Sequence, residues 1–373
     1  MLRDWFPKNK KHSDYILLTT IGVLLALGIL ILSSVSASFS YEKSGDTYYF
    51  LKHQLLFGLL PGLVLGYLAY RINLSFLKKW SPILLLFTFV LMIAVFLPVV
   101  GSKLEGASRW LNLGFFSFQP SELLKLSFIL YMASWLSSRT ENKSQVDFNQ
   151  TLQAFLAILV VIVILLFLQS NLSTLIVIAV VGVTMYLSLN TPLIHIPVIF
   201  ALGAGALVLL IKIAPYRMNR FLVFLNPDLD PMGIGYQLKQ SMIAVGSGGI
   251  AGVGLGMSAQ KLGYLPQTIS DSIFAVFAEE TGFLGGLSLV LAFLFFVWRG
   301  LKTVKDTPDR FLKLTALGIT VWIILQSFVN IGAMIGIVPL TGIPLPFISY
   351  GGSALAIEIT AMGILLNISK HSQ

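Results

Sequence analysis

Residues 264–282, YLPQTISDSIFAVFAEETG, place Asp271 at the lip of an apolar segment and Glu279 and Glu280 inside it. The segment runs on as FLGGLSLVLAFLFFVW, long and apolar enough to cross a bilayer. An acid at membrane depth costs roughly 2.5–3.5 kcal/mol on insertion scales, so it is expected to face a polar cavity, a partner charge or a substrate. With Asp271 as origin on a regular helix, Glu279 falls about 80° away and Glu280 nearly opposite, at about 100° per residue. One site cannot hold all three. Asp271, at the interface, can stay ionised and touch water and substrate together, which suits a general base. Glu279 and Glu280 are read as shaping the helix bundle.

Three further polar groupings accompany these acids. GASRW (Gly106–Trp110) is followed by FQPSELLK (Phe118–Lys125), where Pro120 suits a first helical turn. Glu122 and Lys125, three apart, share one helical face inside the membrane, either as a mutually neutralised structural pair or as substrate contacts. Arg109 stands beside the entrance to that pair. APYRMNRFLVFLNP sets Arg217 and Arg220 three apart at a helix end. Guanidinium forks match phosphate oxygens, so a lipid-linked diphosphate fits them, as does the simpler role of meeting lipid headgroups. PLTGIPLPFISYGGS (Pro339–Ser353) carries three prolines and three glycines, which forbid continuous helix and leave backbone groups in need of partners. Ser349 and Gly351 here are taken as supporting residues, and Lys261, in the preceding long loop, joins the substrate-binding candidates.

The elements that position these residues are membrane helices. The chain is 56% hydrophobic and 11% charged, against about 25% charged for a soluble protein. Apolar runs at 15–38, 54–70, 80–100, 119–137, 150–168, 172–189, 192–213, 272–297, 312–338 and 352–369 predict an all-α polytopic membrane protein of about ten spans. Cysteine is absent and the four histidines are scattered, which excludes disulfides, thiolate chemistry and a helical histidine metal site. The net charge of +9 is a topology signal rather than a nucleic-acid footprint. Arg3, Lys8, Lys10, Lys11, Arg71, Lys78, Lys79, Arg139, Lys143, Arg299, Lys302, Lys305, Arg310, Lys313 and Lys370 all fall on the same side, in short connections. The positive-inside rule then places both termini, with residues 1–14, in the cytoplasm. Segments 39–53, 101–118, 214–271 and 339–351 face outward, and 214–271 is too long for a plain connector. It is read as an ordered loop between the seventh and eighth spans, lying along the outer membrane surface of a single membrane domain, 1–373.

PYRMNRFLVFLNPDLDPMGIGYQLKQSMIAVGSGGIAGVGLG, the LP…D…FAVFAEETG segment and NIGAMIGIVPLTGIPLPFISYGGS resemble the SEDS family (shape, elongation, division and sporulation) over nearly the whole chain. The resemblance implies a ten-helix peptidoglycan glycosyltransferase of the bacterial cytoplasmic membrane that polymerises lipid II at the extracytoplasmic face. It puts the family's essential aspartate on Asp271, its polar pair on Glu122 and Lys125, and its GAxRW arginine on Arg109. It also implies a class B penicillin-binding protein transpeptidase as partner, within an elongation or division complex. Two departures stand out. QSNLST (Gln169–Thr174) replaces the usual QPDLGT, and PQTISDS replaces PEAHTDF, leaving Gln267 and Ser272 where an acid and an aromatic are common. No cofactor is evident; a divalent ion, Mg or Mn, would assist the leaving group, but no dedicated cage is legible. A lipid II flippase is the competing class, since intramembrane charges and ten spans fit transport too. A scaffold with no need of Asp271 is the third.

Overall fold

The computed structural model describes residues 12–372 apart from 105, 106, 113, 115, 141–146, 190 and 214. Every predicted apolar run becomes helix. In order these are α1 (Tyr15–Ser44), α2 (Tyr49–Gln54) leading through a π-helical turn at Leu55–Leu59 into α3 (Leu60–Arg71), α4 (Leu74–Ala94), α5 (Pro120–Thr140), α6 (Phe148–Leu168), α7 (Leu172–Leu187) and α8 (His195–Ile213). The long loop holds α9 (Pro215–Leu225) and α10 (Ile234–Ser247), and the chain closes with α11 (Ile273–Asp306), α12 (Arg310–Met334) and α13 (Gly352–Ser369). Seven helical segments among the described residues are long and apolar enough to span a membrane, with α7 and α8 as shorter apolar helices. The protein is an all-α, multi-pass membrane protein.

The scarce acids at one end of the bundle begin helices. Asp14, Asp147 and Asp309 each accept backbone N–H groups from the first turns of α1, α6 and α12, which satisfies donors that helix geometry leaves unpaired. Helices α12 and α13 form the buried centre, whereas α4 presents most of its surface outward. Close packing of α13 depends on small residues. A Cβ on Gly62 would lie 2.9–3.3 Å from Ile359 and Ala356, so the bare backbone lets the two helices touch, as in small-residue membrane interfaces.

Three features depart from the sequence reading. Helix α1 continues to Ser44 and α11 to Asp306, beyond the predicted ends at 38 and 297, because charged residues past the apolar band do not interrupt the backbone ladder. Segment 101–118 is not a plain loop but a three-stranded antiparallel sheet: β1 (Gly101–Leu104), β2 (Ala107–Asn112) and β3 (Ser117–Phe118), in register Ser102↔Trp110 and Leu111↔Phe118. The stretch 214–271 does not simply line a surface. Its glycine turn, 248–254, runs beside α11 to the break at Gly282, where φ is 67°. There Val253 and Gly254 N–H donate to Glu279 and Glu280 carbonyls, and Phe283 and Leu284 N–H donate to Gly249 and Ile250 carbonyls, at 2.8–3.2 Å. The interrupted helix recovers its lost bonds from this turn, the condition for irregular backbone inside a membrane protein.

Candidate active site

Asp271 precedes the first turn of α11 rather than riding on it, so helical angles do not govern its direction. A run of turns holds it. Ser270 and Ser272 N–H both donate to the Gln267 carbonyl, with Gln267 itself at φ 54°. The turn segment before α13 grips the same turns: Tyr350 N–H donates to Ile269 O at 2.8 Å and Ser349 Oγ–H to Ser270 O. Asn330 Nδ2 donates to Asp271 O at 2.8 Å. The backbone on either side of the carboxylate is thereby fixed while its side chain, half-buried, lines a cavity of about 1090 Å³.

The proline- and glycine-rich segment 339–351 finds its partners among amides and acids of the spans. Asn330 Nδ2 also donates to Ile343 O (2.7 Å), Gln326 Nε2 to Pro344 O (3.0 Å) and Gln54 Nε2 to Ser349 O (3.2 Å). Gln54 Oε1 accepts from Gly351 N–H, and the Glu358 carboxylate accepts from Phe347 N–H, a residue held at φ 66°. Ser349 Oγ accepts from Leu345 N–H. Ser349 and Gly351 thus hold the loop against the neighbouring spans.

The cavity gathers Arg109, Glu122, Lys125, Lys261 and Asp271 around one space. Lys125 Nζ lies 2.7 Å from Glu122 Oε2, 2.9 Å from Gln326 Oε1 and 5.0 Å from the Trp322 ring centroid, all deeply buried. Arg109, carried on β2, donates to Gln169 O at 3.1 Å and to Ser170 O at 2.5 Å. The QSNLST turn is therefore a joint rather than a charge site: Asn171 Nδ2 donates to Ser121 Oγ and Ser173 Oγ–H to Thr341 O. Lys261 lines the cavity yet pairs with Glu280 at 2.9 Å, and Glu280 also accepts from Ser34 Oγ–H at 2.6 Å. Glu279 accepts from Ser258 Oγ–H and from Ala259 N–H. Neither glutamate lines the cavity that holds Asp271.

Arg220 is not on the large cavity. It borders a smaller one behind Asp271 and donates to Leu340 and Thr341 carbonyls at 3.4 and 3.3 Å. The Arg217 side chain lies outside the described residues, as do Arg3, Lys8, Lys10, Lys11 and Lys143. Sequence reasoning passed over His53, Gln54, Gln326, Asn330 and Glu358. All but His53, which borders one, are polar groups within apolar spans, and the rule applied to Glu279 and Glu280 would have found them. Tyr350 Oη sits 2.9 Å from His53 Nδ1 on the cavity wall, and burial, aided by nearby Tyr49, pushes this phenol up to about 12. It stays neutral. No group of three or more acids or histidines that could cage a metal ion occurs among the described residues.

A family model described as a cell cycle protein, FtsW/RodA/SpoVE, matches residues 15–373. The chain belongs to this family. Stage V sporulation protein E of Bacillus subtilis (strain 168) is 37% identical over 98% of the chain and 99% of its own length. A probable peptidoglycan glycosyltransferase FtsW of Trichlorobacter lovleyi is 38% identical, covering 97% of the chain and 94% of that protein. Among solved structures, one described as structural coordination of polymerization and crosslinking by a peptidoglycan synthase complex superposes with a TM-score of 0.76 at 27% identity, over 96% of this chain and 97% of that one. The Thermus thermophilus rod shape determining protein RodA matches at 0.70 and 25%, over 97% and 98%. The SEDS resemblance read from the motifs is this same FtsW/RodA/SpoVE family.

Proposed function

We propose how this peptidoglycan glycosyltransferase works: Asp271 is the general base that joins two lipid II molecules in the large cavity. It accepts the proton of the 4-hydroxyl of an N-acetylglucosamine on one lipid-linked disaccharide. That oxygen attacks the anomeric carbon of the N-acetylmuramic acid on a second chain, and the bond to undecaprenyl diphosphate breaks. A single displacement turns an α linkage into a β one, so one base suffices and no covalent glycosyl-enzyme is needed.

The observation that carries this reading is the convergence of Asp271 with Arg109 and Lys125 on one space of about 1090 Å³, just above the roughly 300–1,000 Å³ of small-molecule sites. Cations placed beforehand stabilise charge as it develops on the leaving diphosphate. Lys125, oriented by Glu122 and Gln326, is the strongest donor for that role, and Arg109 orders the rim. Arg217 and Arg220 belong to the same basic end and would meet the diphosphate or lipid headgroups outside the reacting centre.

The charged lining gathers at the end of the bundle that carries the sheet and the long loop, which favours catalysis on one face over transport between two. That face is extracytoplasmic in this reading, with both termini in the cytoplasm. A class B penicillin-binding protein that cross-links the nascent strand is the partner expected within an elongation or division complex. The deciding experiment is polymerisation of purified lipid II by Asp271→Asn, which keeps the shape and removes the base. Loss of about 10²–10⁴-fold in rate is expected; wild-type rates would remove Asp271 from its role.

A further inference from the structure

Asp271 has a second opening. Behind it lies a small chamber of about 40 Å³, bordered by Arg220, Gln237, Asp271, Asn330, Ala333 and Gly342 among others. Asp271, Gly342 and Ile343 line both this chamber and the large cavity, so they form the partition between them. Asn330 is 2% exposed and its orientation is decided by its donors. Nδ2 donates to Asp271 O and Ile343 O at 2.8 and 2.7 Å, which leaves Oδ1 buried with no hydrogen-bond partner among the described residues. A buried amide oxygen without a donor is costly unless water supplies one. About 10–15 Å³ of such space admits a water, so the chamber has room for roughly one to three.

We propose that this chamber holds the water that carries the proton away from Asp271 after each transfer, with Asn330 as its anchor and positioning residue. The inference rests on Asp271 being the general base. When two lipid-linked disaccharides fill the large cavity they exclude solvent from that side, yet the base must be reset for every bond made. The acceptor oxygen bonds to the anomeric carbon and the diphosphate leaves with the electron pair of the broken C–O bond. The hydroxyl proton passes to the Asp271 carboxylate, then to chamber water, then to bulk.

The test is Ala333→Val in the full-length protein, which fills the chamber with methyl groups and leaves both Asn330 donor bonds untouched. With lipid II as substrate, kcat is expected to fall about tenfold while KM changes less than about twofold, and the solvent deuterium isotope effect on kcat to rise, because proton release has become limiting. A kcat within about twofold of the parent overturns the proposal. Should the variant fail to fold, a high-resolution structure of the parent protein decides. Ordered water within hydrogen-bonding distance of Asn330 Oδ1 supports the assignment, and a dry chamber overturns it. Wild-type rates for Asp271→Asn would sink the base itself, whereas an unaffected Ala333→Val beside an inactive Asp271→Asn sinks only the water route.

Discussion

Lys125 illustrates why a buried charge in this protein is informative. Its side chain is 4% exposed and its ammonium is held by Glu122 and Gln326. Lys125→Met strands the Glu122 carboxylate without its cation, so a loss of about 3–5 kcal/mol is expected, read as a lowered melting temperature in detergent. Adding Glu122→Gln is expected to restore much of the stability. If Lys125 also stabilises the departing diphosphate, glycan polymerisation stays low in the stable double variant; full recovery of activity would reduce the pair to a structural one. Gly342 tests the partition beside the base. It sits at φ 71°, and a Cβ there would lie 3.2 Å from Asp271 Oδ2. Gly342→Ala is expected to cost about 1–2 kcal/mol of backbone strain and to slow polymerisation by crowding the carboxylate, with lipid II still bound. Unchanged kcat would show that the carboxylate has room to spare.

At the scale of elements, the break in α11 is the feature on which the site depends. Gly282 lets the 248–254 turn dock, and a Cβ at this position would fall 2.3 Å from Gly252 N. The turn in turn holds the segment carrying Lys261 and Ser258 against Glu280 and Glu279. Gly282→Ala is expected to destabilise by more than the roughly 1–2 kcal/mol of strain alone, since the turn must also move. Faster proteolysis within 248–262 would report it; a melting temperature equal to the parent's would contradict this account of the break. None of this was legible beforehand. A glycine within an apolar run looks like any small residue until the backbone that approaches it is known.

For the whole molecule, the question is which end faces outward. The chain has no cysteine, so single substitutions report accessibility without background. Met232, 90% exposed in the long loop, changed to Cys is expected to react with an impermeant maleimide in intact cells. Lys305→Cys, exposed near the far end of α11, should label only after the membrane is opened. The reverse pattern would invert the topology and place the cavity in the cytoplasm. The same scale explains why the apolar helices were legible and the small sheet was not. Apolar runs near bilayer length announce themselves by composition alone. Strands of two to six residues that pair through Ser102, Trp110 and Leu111 depend on partners across a turn.

By itself the sequence determined the helical, multi-pass architecture, the family through its motifs, and the three acids to be explained, because the bilayer penalises each charge and open backbone group individually. Tertiary structure alone decided which charges share a space. Glu280 claims Lys261, Glu279 caps a loop, and Asp271 stands between a large cavity and a small one. Those assignments depend on contacts between residues far apart in the chain, such as Asn330 with Asp271 and Gln54 with Gly351. Local spacing carries no record of them.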